Sequence, residues 1–223
     1  MESKKIGVDL LKNKQWHYWN NKHNHPNYNY DNVNICDPLL TYINKLNNIN
    51  AFLDHGCGHG RISKIIQDKF PLTNVTINDI IPLAIEKSQA ILQQANLHTV
   101  IGQLHHVSGM YDCIISHRVV HSCPNYRDIF REFYRLLSED ATCFISVRSI
   151  DCIQKKIHNN FLDSKDNVVY TEHNGRFTKL FKEDELRKYI TNSGLTIKDF
   201  GKFSETAARS GKMNQYWYVI CQK

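Results

Sequence analysis

From Ala51 onward, short apolar runs alternate with stretches in which apolar positions recur every three or four residues. The runs Ala51 to Asp54, Val75 to Asn78, Thr99 to Ile101, Asp112 to Ser116 and Thr142 to Val147 are bounded by Gly, Asp, Asn or Ser and predict strands. Between them, Arg61 to Phe70, Pro82 to Ala95 and Tyr126 to Leu137 predict helices. Pro82 suits a first helical turn, where its missing amide is no loss, and Ile129, Phe133, Leu136 and Leu137 recur at helical spacing as a core-facing stripe. Such alternation implies a parallel sheet with helices on both faces. The ending differs: after a predicted helix from Lys182 to Ser193, Leu195 to Phe203 and Tyr216 to Gln222 are two strands with no helix between them. Strands joined that way pair as an antiparallel hairpin. The expectation is an α/β fold, a doubly wound, mostly parallel seven-stranded sheet ending in an antiparallel hairpin, with residues 1–50 as a helical cover and residues 51–223 as the main unit of one compact domain.

Composition narrows the setting. The 223 residues include 28 Lys and Arg against 22 Asp and Glu, a formal charge of +6 spread along the chain rather than gathered in a basic block. That balance suggests an anionic small partner, no nucleic acid and no membrane. The seven cysteines, Cys36, Cys57, Cys113, Cys123, Cys143, Cys152 and Cys221, form no Cys-x-x-Cys pair and mostly sit in apolar runs. They are expected to be reduced core residues of a cytoplasmic protein, a monomer or homodimer. The N-terminus lacks a long apolar segment, and nowhere do eighteen apolar residues run together. An Asn-rich stretch from Asn20 to Asn50 is taken as drift in loops and exposed faces.

The ten residues from Ala51 to Gly60, Ala-Phe-Leu-Asp-His-Gly-Cys-Gly-His-Gly, set three glycines at alternate positions between a strand and a helix. Glycine there lets the backbone approach a ligand, and a helix N-terminus favours an electron-rich group. The dehydrogenase fingerprint is Gly-x-Gly-x-x-Gly; here Asp54 opens Asp-x-Gly-x-Gly-x-Gly. That spacing resembles motif I of the class I S-adenosylmethionine-dependent methyltransferases. Val75 to Ser88 is similar to the family's second strand and following helix, Tyr111 to Ser116 to its fourth strand, Phe133 to Ser149 to the passage into its fifth, and Phe181 to Leu195 to the helix before its last hairpin. The resemblance spans residues 51–223 and implies a Rossmann-like sheet with S-adenosyl-L-methionine as cofactor and S-adenosyl-L-homocysteine as product. It implies that Gly56, Cys57, Gly58 and Gly60 bring backbone against the cofactor, that Asp54 holds its ammonium directly or through water, and that Asp79 accepts from both ribose hydroxyls. Ile80 would pack on adenine, with Arg61, Ser116 and Trp19 completing the cofactor set. A helix cap ahead of Pro82 is the alternative role for Asp79. Where the family often carries an acidic residue after its third strand, this chain has Gln103, whose amide oxygen can still accept.

The acceptor is expected over the fourth and fifth strands. His117 and His121 are the candidate bases, because an ordinary histidine titrates near neutrality; His121 is similar to a histidine common in small-molecule members of the family, although positioning alone could carry methyl transfer. Arg148, with Arg118 and Arg176, suggests a carboxylate or phosphate on the acceptor. The aromatic segment around Trp16 and Trp19, with His23, His25 and Tyr28, would close over the site or dock a helix on the sheet, and an insertion holding Tyr170, Glu172 and His173 would form the opposite wall. Twelve histidines invite a metal, yet no matching cysteine or carboxylate spacing accompanies them, and none is expected. Three readings stay open: O-methylation of a small polar, anionic metabolite or surface-polysaccharide precursor, methylation of a transfer-RNA wobble position, and a non-catalytic cofactor-binding subunit.

Overall fold

The computed structural model of the chain describes residues 2–25, 35–92, 96–152, 161–163, 166–171, 176–206 and 213–223. Five parallel strands open the main sheet: β1 (Ala51–His55), β2 (Asn74–Asp79), β3 (Leu97–Ile101), β4 (Tyr111–His117) and β5 (Leu137–Arg148). They lie in the order β3-β2-β1-β4-β5, and the sheet continues through two antiparallel strands, β10 (Met213–Gln222) and then β9 (Thr196–Thr206). The seven-stranded sheet with its terminal hairpin is the architecture the alternation of periods implies.

Burial explains the strand sequences. β1 begins apolar and is buried from Phe52 to His55 between β2 and β4, as a central parallel strand must be. β9, at the free edge, is mostly half-exposed or exposed along its length. Helices α2 (Asp37–Lys45), α3 (Arg61–Lys69) and α4 (Pro82–Ile91) belong to one face, where Leu39, Ile43, Ile66 and Ile85 pack with Phe52, Ile77 and Phe144. On the other face α5 (Tyr126–Leu136) and α6 (Glu183–Thr191) bury Ile129, Phe130, Phe133, Leu136, Leu186 and Ile190. Each such fully buried side chain is worth about 1.5–3 kcal/mol relative to exposure.

One feature exceeds the sequence expectation. A small antiparallel sheet of β6 (Phe161–Asp163), β7 (Val168–Thr171) and β8 (Arg176–Lys179) forms within the insertion after β5. Its anchor is Lys179, fully buried, whose ammonium donates to both carboxylate oxygens of Glu185 on α6 at 2.7 and 2.8 Å. At the other end of the chain, α1 (Glu2–Asn24) lies across the carboxyl ends of the strands. Trp16 Nε1 donates to the Ile80 carbonyl at 3.0 Å, Lys87 Nζ to the His23 carbonyl at 3.2 Å, and the Phe177 amide on β8 to Gln15 Oε1 at 2.7 Å. No helix among the described residues is long and apolar enough to cross a membrane. Tyr28, Glu172 and His173 lie outside the described residues.

Candidate functional site

Beneath α1, at the carboxyl ends of β1, β2, β4 and β5, lies a cavity of about 500 Å³. Ligands of open α/β sheets sit at this edge, where the strand order reverses. Its floor is the loop after β1. Gly56 has φ +69°, and a Cβ built there would stand 2.4 Å from Val119 Cγ2, so both backbone sign and space exclude a side chain. Gly60 (φ +76°) would likewise meet Ser88 at 2.9 Å; as N-cap of α3 it leaves the helix N-terminus without a side-chain cap.

The loop amides are committed elsewhere than expected. Gly56 and Cys57 both donate to the Asn78 carbonyl (2.8 and 3.0 Å), and Gly58 donates to Asp79 Oδ2 (3.1 Å). The loop thus offers a ligand close approach rather than a set of unspent donors. Asp79 lines the cavity and also accepts from the Ile81 amide at 3.0 Å, so it serves as the turn-holding group before α4 as well. Burial pushes its carboxyl up to about 6, against the hydrogen bonds of Ile81, Gly58 and Ile80. Asp54, by contrast, does not line the cavity: it lies beneath the loop and accepts from Ser63 Oγ at 2.6 Å. Burial raises it to about 7, opposed by the Ser63 hydroxyl and amide. An acid pointing inward under a tight turn ties strand to helix, with its Oδ2 committed to Ser63. Ser116 is enclosed too, bonded to His55 Nδ1 at 2.9 Å, and Gly60 packs on Ser88 rather than the cavity. Cys57, Gly58, Ile80, Arg61, Gln103 and Trp19 are all on the cavity wall.

The opposite end of the cavity gathers Arg118, Arg148 and Arg176 around His121. Arg118 adopts φ +62°, held by its amide donating to the Ser146 carbonyl (3.2 Å) and Ser146 Oγ (3.0 Å); its guanidinium pairs with Glu205. Arg148 donates to the neutral Asn214 Oδ1 at 3.0 Å and lies 5.9 Å from the centre of the Tyr216 ring, while its buried Nε meets no partner among the described residues. Arg176 enters from β8, over Tyr18 of α1. His121 is 5 % exposed, and its Nδ1 has no hydrogen-bond partner among the described residues.

One expectation is corrected here. Neither histidine titrates near neutrality: burial drives His121 well below its ordinary value, helped by Arg148, Arg176 and Arg118, and burial likewise lowers His117, helped by Arg118. Both are neutral imidazoles. His117 Nδ1 bonds Ser146 Oγ at 2.9 Å, leaving Nε2 buried without a partner among the described residues. Tyr170 lies on β7 in register with Phe177, and its side chain is outside the described residues.

Sequence reasoning missed several wall residues. His55, Asn78, Asn125 and Tyr216 line the cavity, as does Gln15 from α1. For His55 a signal existed, since it directly precedes the glycine loop; Tyr216 and Asn125 are placed only by tertiary folding. Missed as well was a cluster in which Cys36, His117 and Glu205 bring one ligand atom each within 4.8 Å of one another.

A family model described as a methyltransferase domain matches residues 29–199. Among solved structures, an S-adenosylmethionine-dependent methyltransferase of Methanosarcina mazei is 20% identical, with a TM-score of 0.69, covering 86% of this chain and 99% of its own. A 1,6-didemethyltoxoflavin N1-methyltransferase of Burkholderia thailandensis, solved with 1,6-didemethyltoxoflavin and S-adenosylhomocysteine, is 18% identical, with a TM-score of 0.57, over 78% of this chain and 70% of its own. The [4+2]-cyclase SpnF shares 11% identity at a TM-score of 0.61, over 84% and 80%. No curated protein matches the chain in sequence.

Proposed function

This chain belongs to the class I S-adenosylmethionine-dependent methyltransferases, and on that premise we propose that it methylates an oxygen of a small anionic molecule held between His121 and Arg148. The residues present suit the cofactor. Asp79 lines the cavity with a carboxylate of about four acceptor positions, and the Gly58, Ile81 and Ile80 amides leave part of that capacity for a ribose hydroxyl. Gly56 keeps the adjoining floor free of side chains, Ile80 and Gln103 stand beside the expected adenine, and Trp19 and Arg61 border the same space. When bound, S-adenosylmethionine supplies an electrophilic methyl group on a sulfonium sulfur.

The observation that carries the acceptor class is Arg148. Its guanidinium is partly buried, its side-chain partner is a neutral amide, and its Nε lacks a partner among the described residues. A charge placed this way is stabilised by an anion that fits the planar fork. His121, neutral at pH 7, can accept a hydrogen bond from the acceptor hydroxyl and orient it. An anion seated among the arginines would offset the positive field that depresses His121 and so strengthen it as a proton acceptor when the substrate is present. Helix α1 acts in this reading as a cover that excludes water from the closed site, whereas α2 packs on a face of the sheet.

Label transfer from radioactive S-adenosylmethionine into pooled carboxylated and phosphorylated metabolites, matched neutral alcohols and bulk transfer RNA tests this reading. Label is expected in an anionic small molecule, with Arg148→Met raising the acceptor KM tenfold or more while S-adenosylhomocysteine affinity stays constant. Methylation of neutral alcohols or RNA alone, or an unchanged KM in the variant, would reject it.

A further inference from the structure

We propose that Cys36, His117 and Glu205 form a metal site on the wall of the cavity, of the composition that suits zinc. The inference is independent of the methyl acceptor assigned above. The three residues come from the start of α2, the end of β4 and the end of β9, and their ligand atoms lie within 4.8 Å of one another. Thiolate, imidazole and carboxylate together make a borderline-soft donor set. A tetrahedral zinc with bonds of about 2.0–2.3 Å keeps its ligand atoms about 3.3–3.8 Å apart, so closing the set needs side-chain movement of about an ångström.

The surroundings favour ligands around a gap over an internal hydrogen-bond cluster. His117 Nε2 and Glu205 Oε1 are both buried and both lack a partner among the described residues. Their other polar atoms are committed: His117 Nδ1 to Ser146 Oγ at 2.9 Å, and Glu205 Oε2 to Arg118. Ligating histidines and carboxylates are oriented by such outer contacts, which fix ring and carboxylate plane while leaving one atom for the ion. Cys36 is buried at the N-cap of α2; burial pushes its thiol up to about 11 against the Leu39 amide, and ligation by a divalent ion would displace that proton. One thiolate and one carboxylate supply two negative charges to a divalent ion, with the carboxylate also paired with Arg118. Three protein ligands leave a fourth position, and because His117 and Arg118 line the cavity, that position faces it.

The test uses the full-length chain, stripped with a chelator and titrated with Co²⁺. One equivalent is expected to produce the visible bands of tetrahedral cobalt together with a near-ultraviolet thiolate-to-cobalt band. Cys36→Ala should abolish the thiolate band, Glu205→Gln should weaken Co²⁺ binding about tenfold or more, and Cys221→Ala, in the core, should change neither. S-adenosylhomocysteine binding reports that each variant is folded. The wild-type titration decides by itself: no tetrahedral cobalt spectrum, or one without the thiolate band, overturns the proposal, as does a thiolate band that survives in Cys36→Ala.

Discussion

Asp79 shows how one side chain holds a turn and prepares a binding site. Its oxygens accept from Gly58 and Ile81, which fixes the two loops that border the cavity, and burial raises its carboxyl to about 6. Ribose hydroxyls donate to the ionised form, so a ligand that uses them must find the group deprotonated. Affinity for S-adenosylhomocysteine should therefore hold above pH 7 and fall as pH drops through about 6, measured by calorimetric titration between pH 5 and 8. Hydrogen bonds to a charged group are worth about 1.5–3 kcal/mol; Asp79→Asn should accordingly weaken binding about 10- to 100-fold and leave a flat pH profile. A pH dependence that persists in the variant would assign the proton to another group. At this scale the sequence was informative where chemistry is local. Asp79 and the glycines are set by strand ends and a tight turn, whose signals lie within a few residues. Asp54 shows the limit: the motif puts an acid at the right distance along the chain, but only the path of α3 shows it bonded to Ser63 beneath the loop.

Among elements, α1 joins parts of the molecule that the sheet alone leaves apart. It reaches the β2–α4 turn through Trp16 and the small sheet through Gln15, and it lines the cavity with Gln15 and Trp19. A cover attached by single hydrogen bonds and aromatic packing can open without disturbing the sheet. Trp16→Phe keeps most of the packing and removes the donor to the Ile80 carbonyl. Since a net hydrogen bond is worth about 0.5–1.5 kcal/mol, release of S-adenosylhomocysteine should accelerate about 2- to 12-fold, seen by stopped-flow fluorescence, with little change in melting temperature. An unchanged release rate would mean that α1 does not gate the cofactor. The five parallel strands and the hairpin were legible because period and burial agree along them. The sheet of β6, β7 and β8 was not, because its strands are only three or four residues long and are stabilised from outside, by the buried Lys179 bonded to Glu185 and by the Gln15 contact from α1. Cys36, His117 and Glu205 escaped for the same reason, being far apart in sequence and brought together only when α2 and the hairpin pack against β4.

For the whole molecule, the fold restricts the ligand position without choosing the chemistry, since a methyltransferase and a cyclase share it with this chain at similar likeness. The ionisable groups buried at the cavity and beneath its floor pull on stability in opposite directions. Asp54 and Asp79 are raised from 3.8 to about 7 and about 6, so the folded state binds their protons more tightly and their contribution is lost as pH rises through those values. The buried histidines act the other way. His55 falls from 6.5 to about 4 because burial disfavours its cation, and His23 falls to about 3 by burial with His59, Lys87 and Lys22 nearby. The unfolded chain protonates these between pH 6.5 and 4 while the folded protein does not, so stability is lost as pH falls across that window. At pH 5 each uncompensated proton changes the slope by about 1.4 kcal/mol per pH unit. His55 bonds Ser116 and packs edge-on to Phe133, a neutral setting that Asn can largely reproduce. His55→Asn should therefore lower the dependence of unfolding free energy on pH by close to one proton between pH 5 and 6, read from urea melts at the two values. Equal slopes in the two proteins would show that His55 is protonated in the folded state, and that the cavity is wetter around it than its enclosure implies.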